Sequence, residues 1–280
     1  MKLNITKVNP VENMTIFVMD KVDRSIHMDV ANKLMEYGNV HGEQVGFIED
    51  ATTPEGKSIN TLRLQMMGGE FCGNASRSLA ALMVHLNLPG ISISEDLYNV
   101  ILEASGSDHL LHCQVKKTDK SNRYFSRVEM PLPERVSNDE ISYENKEISY
   151  TRVDFPGITH FIVEDKDIED KDNFFKTIKS KTNDEDLDAF GIMFYDYHIS
   201  FLTPLVYVRA TDSLFWERSC ASGTSALGVA LALNNNSNLH EYVKQPGGEL
   251  EVLVNIKDNK VESLFLDGSV EIVLEGNAYI

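Results

Sequence analysis

The 280 residues of this chain divide into two halves that carry the same motifs in the same order. Each half opens with a proline and then a short apolar run ending in an acidic residue: Pro10 before Thr15-Ile-Phe-Val-Met-Asp20, and Pro156 before His160-Phe-Ile-Val-Glu-Asp165. An amphipathic stretch follows in each, and then Val45-Gly-Phe-Ile-Glu-Asp50 is matched by Ile192-Met-Phe-Tyr-Asp196. Last comes a cysteine leading a run of small residues, Cys72-Gly-Asn-Ala-Ser-Arg-Ser-Leu-Ala80 against Cys220-Ala-Ser-Gly-Thr-Ser-Ala-Leu-Gly228. Ser76 falls on Thr224, and Leu79 on Leu227. A repeat of this length is one supersecondary unit used twice, so two similar domains related by a pseudo-dyad are expected.

Short apolar or alternating runs predict strands over 15–19, 44–48, 61–66, 127–130, 161–163, 191–195, 250–256 and 269–274. Helical spacing predicts helices over 27–37, 73–86, 171–180 and 222–234. The class is therefore α+β. The polar stretch 131–145, with Pro131 and Pro133 and acidic residues from Glu134 to Glu144, reads as the linker. It divides the chain into domains 1–130 and 131–280. The charge run 165–172 reads as a solvated loop and helix start.

Charge and composition narrow the function classes. The 26 basic and 43 acidic residues leave a net charge of −17, which repels phosphate backbones and anionic headgroups. Nucleic acid and membrane are thus poor partners. Apolar runs such as 79–86 fall far short of the ~20 residues a bilayer needs. The N-terminus lacks the apolar core and cleavage site of a secretory signal, so a cytoplasmic location is expected. The three cysteines form no CxxC pair and do not suggest a disulfide framework. The eight histidines include no HExxH and no Cys/His cluster at zinc spacing, so no metal is expected. No glycine-rich nucleotide fingerprint is present, so no nucleotide cofactor is expected either.

The chemistry is concentrated at the two repeated cysteines. Cys72 follows Gly68-Gly69 and precedes a helix, which places its sulfur against the unpaired N–H groups of the first turn. Those donors and the helix dipole favour a thiolate. Lowering a thiol from about 8.5 to about 7 takes roughly 2 kcal/mol, near the upper end of what a helix terminus supplies. Cys220 repeats the arrangement, with Ser222 and Gly223 in the turn. Facing one another, two such termini leave a slot lined by N–H donors, which suits a carboxylate and its Cα between two sulfurs. One thiolate then removes the α-proton and the opposite thiol returns one, inverting the centre. Amides of residues 73–74 and 221–222 would hold the charge that spreads into the carboxylate.

Taken singly, a cysteine ahead of a helix is ordinarily a small buried hydrophobe. Its recurrence at equivalent places of a duplicated unit favours function. A disulfide joining the two is a third reading, opposed by the expected cytoplasmic setting. Cys113, in the apolar run Leu110-Leu-His-Cys113, reads as core.

With those residues in view, the chain resembles the diaminopimelate-epimerase-like family of PLP-independent racemases, almost end to end. The resemblance is carried by Asn13-Met-Thr, Glu43-Gln44, Glu70-Phe-Cys-Gly-Asn-Ala75, His160, Trp216-Glu-Arg-Ser-Cys-Ala-Ser-Gly223 and Gln245-Pro-Gly-Gly-Glu-Leu250. It implies two pseudo-symmetric domains, each a curved, mostly antiparallel sheet around a central helix, with the active site in the interdomain cleft. It also implies that the last strand crosses back to the first domain. Cys72 and Cys220 match the acid/base pair. Gly73, Asn74, Ala221 and Ser222 match the carboxylate-cradling positions. Asn13, Gln44, Glu217 and Arg218 match substrate contacts, with Glu217 near the substrate ammonium. His160 matches the histidine of an Asn-Pro-His motif whose first two residues are here Ile158-Thr159.

Gln65, Ile158 and Gly191 replace the asparagines that hold the distal head of diaminopimelate, and the loop before Cys220 is shorter. A distal carboxylate and ammonium left unpaired in a buried pocket are costly. The motif set is more similar to histidine racemases of staphylopine-type metallophore biosynthesis. That resemblance implies interconversion of L- and D-histidine, no cofactor, and Glu43 near the imidazole or the catalytic centre; the bland reading of Glu43 is a solvated turn carboxylate. A second copy of the chain is the protein partner the family suggests. Diaminopimelate epimerase (LL to meso) and a non-catalytic binding member of the fold remain the alternatives. The phenazine-biosynthesis-like isomerases share the fold but lack the cysteine pair.

Overall fold

Inward Leu3, Ile5 and Val8 alternate with the water-facing Lys2 and Asn4, the period of a half-buried strand. That strand, β1 (Lys2–Asn9), begins the computed structural model, which describes residues 1–280. The chain forms two units, residues 1–129 with 266–280, and residues 130–265. No helix is long and apolar enough to cross a membrane.

In the first unit β1 pairs antiparallel with β2 (Thr15–Val18). A crossover through α1 (His27–Met35) leads to β3 (Gln44–Asp50), parallel to β2. A short helix, α2 (Pro54–Ser58), precedes β4 (Leu62–Met66), antiparallel to β3. After α3 (Gly73–Leu86), a hairpin of β5 (Ile91–Ser94) and β6 (Leu97–Ala104) brings β6 alongside β4 in parallel. The antiparallel strands β7 (Leu111–Lys117) and β8 (Arg123–Glu129) follow. The C-terminal stretch closes the ring: Tyr279 to Glu271 pair with β1, and Ile272 N–H donates to Asn122 O at 2.8 Å. Eight strands thus wrap α3, whose residues 73–84 are all buried. Its sequence explains most of this, because small and apolar residues dominate every face, with Asn74 and Arg77 as the polar exceptions. On the outside, Val30, Ala31 and Leu34 of α1 pack on Ile16, Val18, Val45 and Phe47.

The second unit passes through the same succession of pairings. Strand β9 (Arg135–Tyr143) turns at Glu144-Asn145 (φ 47° and 62°, the left-handed pair of a tight hairpin) into β10 (Lys146–Phe155). Antiparallel β11 (Ile158–Glu164) connects through α4 (Lys171–Lys181) to the parallel β12 (Ala189–Asp196). Strand β13 (Phe201–Val208) is antiparallel to β12 and carries the short β14 (Ser213–Trp216). The buried helix α5 (Ala221–Asn235) leads to β15 (Leu239–Gln245), parallel to β13, then β16 (Gly248–Lys257) and the long β17 (Lys260–Tyr279). Under α4 the core is aromatic, with Phe161, Phe174, Phe175, Phe190, Phe194 and Tyr207 in mutual contact.

The expected linker is corrected here. Residues 135–143 are a full strand paired along β10, not a loop. Polar residues and two prolines mask it, yet Ile141 and Tyr143 alternate inward beneath α4.

Candidate active site

Each cysteine is the N-cap of its buried helix. Cys72 has extended backbone (φ −133°, ψ 111°) and its sulfur accepts the Ala75 N–H at 3.4 Å. Cys220 has φ −121°, ψ 112°, and its sulfur accepts the Gly223 N–H at 3.4 Å. A sulfur thus takes the place of the oxygen that ordinarily caps the third amide of a helix. The hydroxyls of Ser76 and Thr224 donate to the carbonyls of Cys72 and Cys220 (2.8 and 2.6 Å), fixing the cap from behind. Helix geometry leaves the amides of residues 73–74 and 221–222 outside the i→i−4 ladder, next to the sulfurs.

Around Cys72 the support comes from strands. The thiol donates to Gln44 Oε1 at 3.0 Å, and Gln44 Nε2 donates to Asn13 Oδ1 (2.7 Å) and Thr15 Oγ1 (2.8 Å). The loop before the cysteine is pinned by Ser105, whose hydroxyl accepts from Met66 N–H (2.9 Å) and donates to Glu70 O (2.7 Å). Gly106 completes this contact: at φ +68° a Cβ there would lie 2.3 Å from Phe71 N. Asn74 is buried, and its Oδ1 accepts from Arg77 Nε (3.2 Å) and Nη2 (3.0 Å). Glu43 is exposed at the start of β3, its N–H on Met14 O.

Around Cys220 the support is the end of β15 and the turn after it. Gln245 accepts the Cys220 N–H (2.8 Å) and donates to Thr224 Oγ1 (2.8 Å). Gly247 N–H donates to Arg218 O (2.7 Å), and the exposed Arg218 returns Nη2 to Pro246 O (3.1 Å). The Glu217 carboxylate accepts from the Cys220 thiol, and Ser222 Oγ lies 3.6 Å from the sulfur. Ala221 is buried at 5 % exposure. Met193 reaches so close that a Cβ on Gly223 would meet its sulfur at 2.2 Å. The same methionine touches the space beside Gly191, where the His160 ring lies.

Two expectations change in detail. The helix terminus does not leave Cys220 with a lowered pKa: burial and the Glu217 carboxylate push it well above the usual thiol range, outweighing the Gly223 and Ser222 hydrogen bonds. His160 is wholly buried, its ring nitrogens unpaired, and desolvation drops its pKa to about 3, so it is neutral. Cys113 is core, its pKa raised by burial.

The structure thus joins Asn13, Gln44, Cys72, Gly73 and Asn74 in one unit, and Glu217, Cys220, Ala221 and Ser222 in the other. Sequence reasoning missed Arg77, Ser105, Met193 and Gln245 as supports. Gln245 had a signal, since it heads the Gln-Pro-Gly-Gly motif; Ser105 had none. No three His, Cys, Asp or Glu side chains converge as metal ligands would.

The family model described as the histidine racemase CntK N-terminal domain matches residues 2–279. A histidine racemase of Fusobacterium nucleatum is 36% identical, over 99% of this chain and 97% of its own length. One from Staphylococcus aureus is 30% identical, over 99% of this chain and 98% of its own. Among solved structures, a probable proline racemase from Agrobacterium radiobacter with bound carbonate superposes with a TM-score of 0.71 at 13% identity, covering 99% and 92% of the two chains. A hydroxyproline epimerase from Agrobacterium vitis with bound trans-4-hydroxy-L-proline gives 0.70 at 12% identity, with the same coverage. At such identities these two structures speak for the fold alone.

Proposed function

This chain belongs to the histidine racemase family, and from that premise we propose that it interconverts L- and D-histidine without a cofactor, using Cys72 and Cys220 on opposite faces of Cα. Its being an amino-acid racemase follows from the family; the substrate and the two-sulfur mechanism are our reading. The observation that carries it is the matched cap: two cysteines, one per unit, hold their sulfurs at the same place on a buried helix N-terminus.

In this reading the units are related by a pseudo-dyad and the substrate lies in the cleft they form. The carboxylate of histidine sits on the amides of residues 73–74 and 221–222, where dipole and donors favour an anion. Asn13 and Gln44 contact the substrate from one side, and Glu217 takes the ammonium, with Arg218 beside it. Glu43 lies toward the imidazole. His160, buried behind Met193, supports the wall and does not touch the substrate.

Catalysis is a relay of one proton in and one out. A thiolate takes the α-proton, and the C–H electron pair spreads into the carboxylate. The opposite thiol then gives its proton to the other face of Cα and becomes the thiolate. The amide donors act where charge develops, a contribution of the kind worth about 3–4 kcal/mol per donor at acyl-transfer sites. Reversal needs only that the sulfurs exchange roles.

The test is α-proton exchange in deuterium oxide across the common amino acids and diaminopimelate. Histidine is expected to exchange and racemise far faster than any other. Preferential exchange of diaminopimelate would make the chain an epimerase of that substrate, and no exchange with any of them would make it a binding member of the fold.

A further inference from the structure

We propose that the two sulfurs are unequally charged at rest, Cys72 holding the thiolate and Cys220 the thiol, and that Arg77 and Glu217 set this polarity. The proposal rests on the two-cysteine reading above and goes beyond it by assigning the proton in the free enzyme.

The backbone does not distinguish the two sulfurs. Both are N-caps with nearly the same dihedrals, both accept one amide at 3.4 Å, and both carbonyls are bonded by a hydroxyl four residues on. The side chains do distinguish them. Five residues beyond Cys72 stands Arg77; five beyond Cys220 stands Ser225. Arg77 is fully buried, with Nη1 on Ser269 O (2.9 Å), Nη2 on Pro10 O (3.0 Å), and Nε and Nη2 on Asn74 Oδ1. Those oxygens are all neutral, so they solvate the guanidinium without cancelling its charge. The groups that act on its charge are the Asp267 carboxylate first and the Cys72 sulfur second. Burial lowers its pKa only to about 10, so the cation persists at neutral pH. Ser225 offers no charge, and its hydroxyl has no partner.

Three residues before each cysteine the contrast runs the other way. Gly69 precedes Cys72, whereas Glu217 precedes Cys220 and takes its S–H. A carboxylate beside a thiol opposes its ionisation. Exposure acts in the same sense, since Cys72 is half-buried and Cys220 is 5 % exposed. The other ionisable neighbours are weaker. Glu43 and Glu70 are exposed and screened by water, and His160, behind Met193, is neutral. A cation and water at Cys72, and an anion and desolvation at Cys220, all drive the proton to Cys220.

The Gln44 contact serves either state. With the thiol, Oε1 accepts S–H. With the thiolate, half-turns of the Gln44 and Asn13 amides together present Gln44 Nε2 to sulfur and Asn13 Nδ2 to Gln44 Oε1, using the same heavy-atom positions. Arg77 is a positioning residue in this scheme: it orients Asn74 and biases Cys72 without touching substrate.

The experiment is a 13C titration of the full-length enzyme labelled at cysteine Cβ, with signals assigned by Cys→Ser variants. Cys72 is expected to ionise at lower pH than Cys220. Arg77→Met is expected to raise the Cys72 midpoint by about one unit, a tenfold change in its ionisation constant, and leave Cys220 in place. Arg77→Lys is expected to restore the Cys72 midpoint, and Glu217→Gln to lower that of Cys220. Cys220 ionising first, or a folded Arg77→Met with an unmoved Cys72, overturns the proposal. If Arg77→Met does not fold, the wild-type order and Glu217→Gln decide it. Racemisation is measured in parallel on Cys72→Ser and Cys220→Ser. Activity surviving in either removes the two-sulfur reading itself; activity lost in both, with the titration order reversed, removes only the polarity.

Discussion

The first unit supports its cysteine with polar side chains from β2, β3 and the buried helix, and the second from the end of β15 and the turn after it. Around Cys72 the neighbours are Gln44 and Thr15 of strands, Asn13 just before β2, and Arg77 of the helix itself. Around Cys220 they are Gln245 and the 245–247 turn, with Met193 and His160 behind. What the two keep in common is the cap, a sulfur on the third amide and a hydroxyl on the carbonyl. The two units share the cap that places the sulfur and differ in the polarity around it. Reversible inversion needs two equivalent positions, but it does not need two equivalent pKa values.

That comparison is tested first by removing each sulfur. Cys72→Ser and Cys220→Ser are each expected to lower kcat by at least about 10²–10⁴-fold, with unchanged far-ultraviolet circular dichroism. A large loss in only one of them would make the second cysteine structural and end the equivalence. Next come the two helix cores. Leu79→Ala and Leu227→Ala, both at fully buried repeat positions, are expected to cost about 2–5 kcal/mol each in denaturant unfolding. A cost confined to one would show that only one helix is held by close packing.

Acid separates the units by different groups. His160 cannot take a proton until about pH 3 when folded, against 6.5 ordinarily, so its contribution is whole above 6.5 and falls as pH drops below it. Glu103 accepts hydrogen bonds from the backbone and hydroxyls of Thr52 and Thr53 and has a folded pKa of about 2. Its contribution, on the order of 2–3 kcal/mol, is whole above 4.5 and is lost between 4.5 and 2. Hydrogen exchange is therefore expected to show the second unit losing protection at higher pH than the first. His160→Leu should flatten the upper phase and Glu103→Gln the lower; the reverse assignment would contradict this. The smallest effects concern the supports. Gln245→Ala is expected to cost about 1–3 kcal/mol by orphaning the Cys220 N–H, and Ser105→Ala about 1 kcal/mol. Equal and negligible costs would mean that the loops hold themselves.

Much of this was legible in the sequence, for identifiable reasons. Helices over 73–86 and 222–234 stood out because small and apolar residues dominate both runs, and the observed elements differ by one residue at most. The two cysteines were visible because the repeat aligned them. β9 was not, since proline and acidic residues outweighed a short alternation. Strand β1 was passed over because its pairing with residues 271–279, far away in sequence, leaves no local mark. Arg77 was read as one more helical residue; a charge inside a wholly buried helix is recognisable only once the barrel around it is known. Glu217 was identified as a substrate contact from the family motif, but its bond to the Cys220 thiol depends on how β14 enters α5, which spacing does not determine.

The claim beneath all of this is that separate sulfurs handle the proton on the two faces of Cα. Racemising L-histidine in deuterium oxide and measuring label at early times, in recovered substrate and in product, addresses it most directly. Two sulfurs require the D-histidine to carry deuterium at Cα while the remaining L-histidine stays unlabelled. Equal early labelling of both enantiomers would mean a single group serving both faces, and would contradict the account.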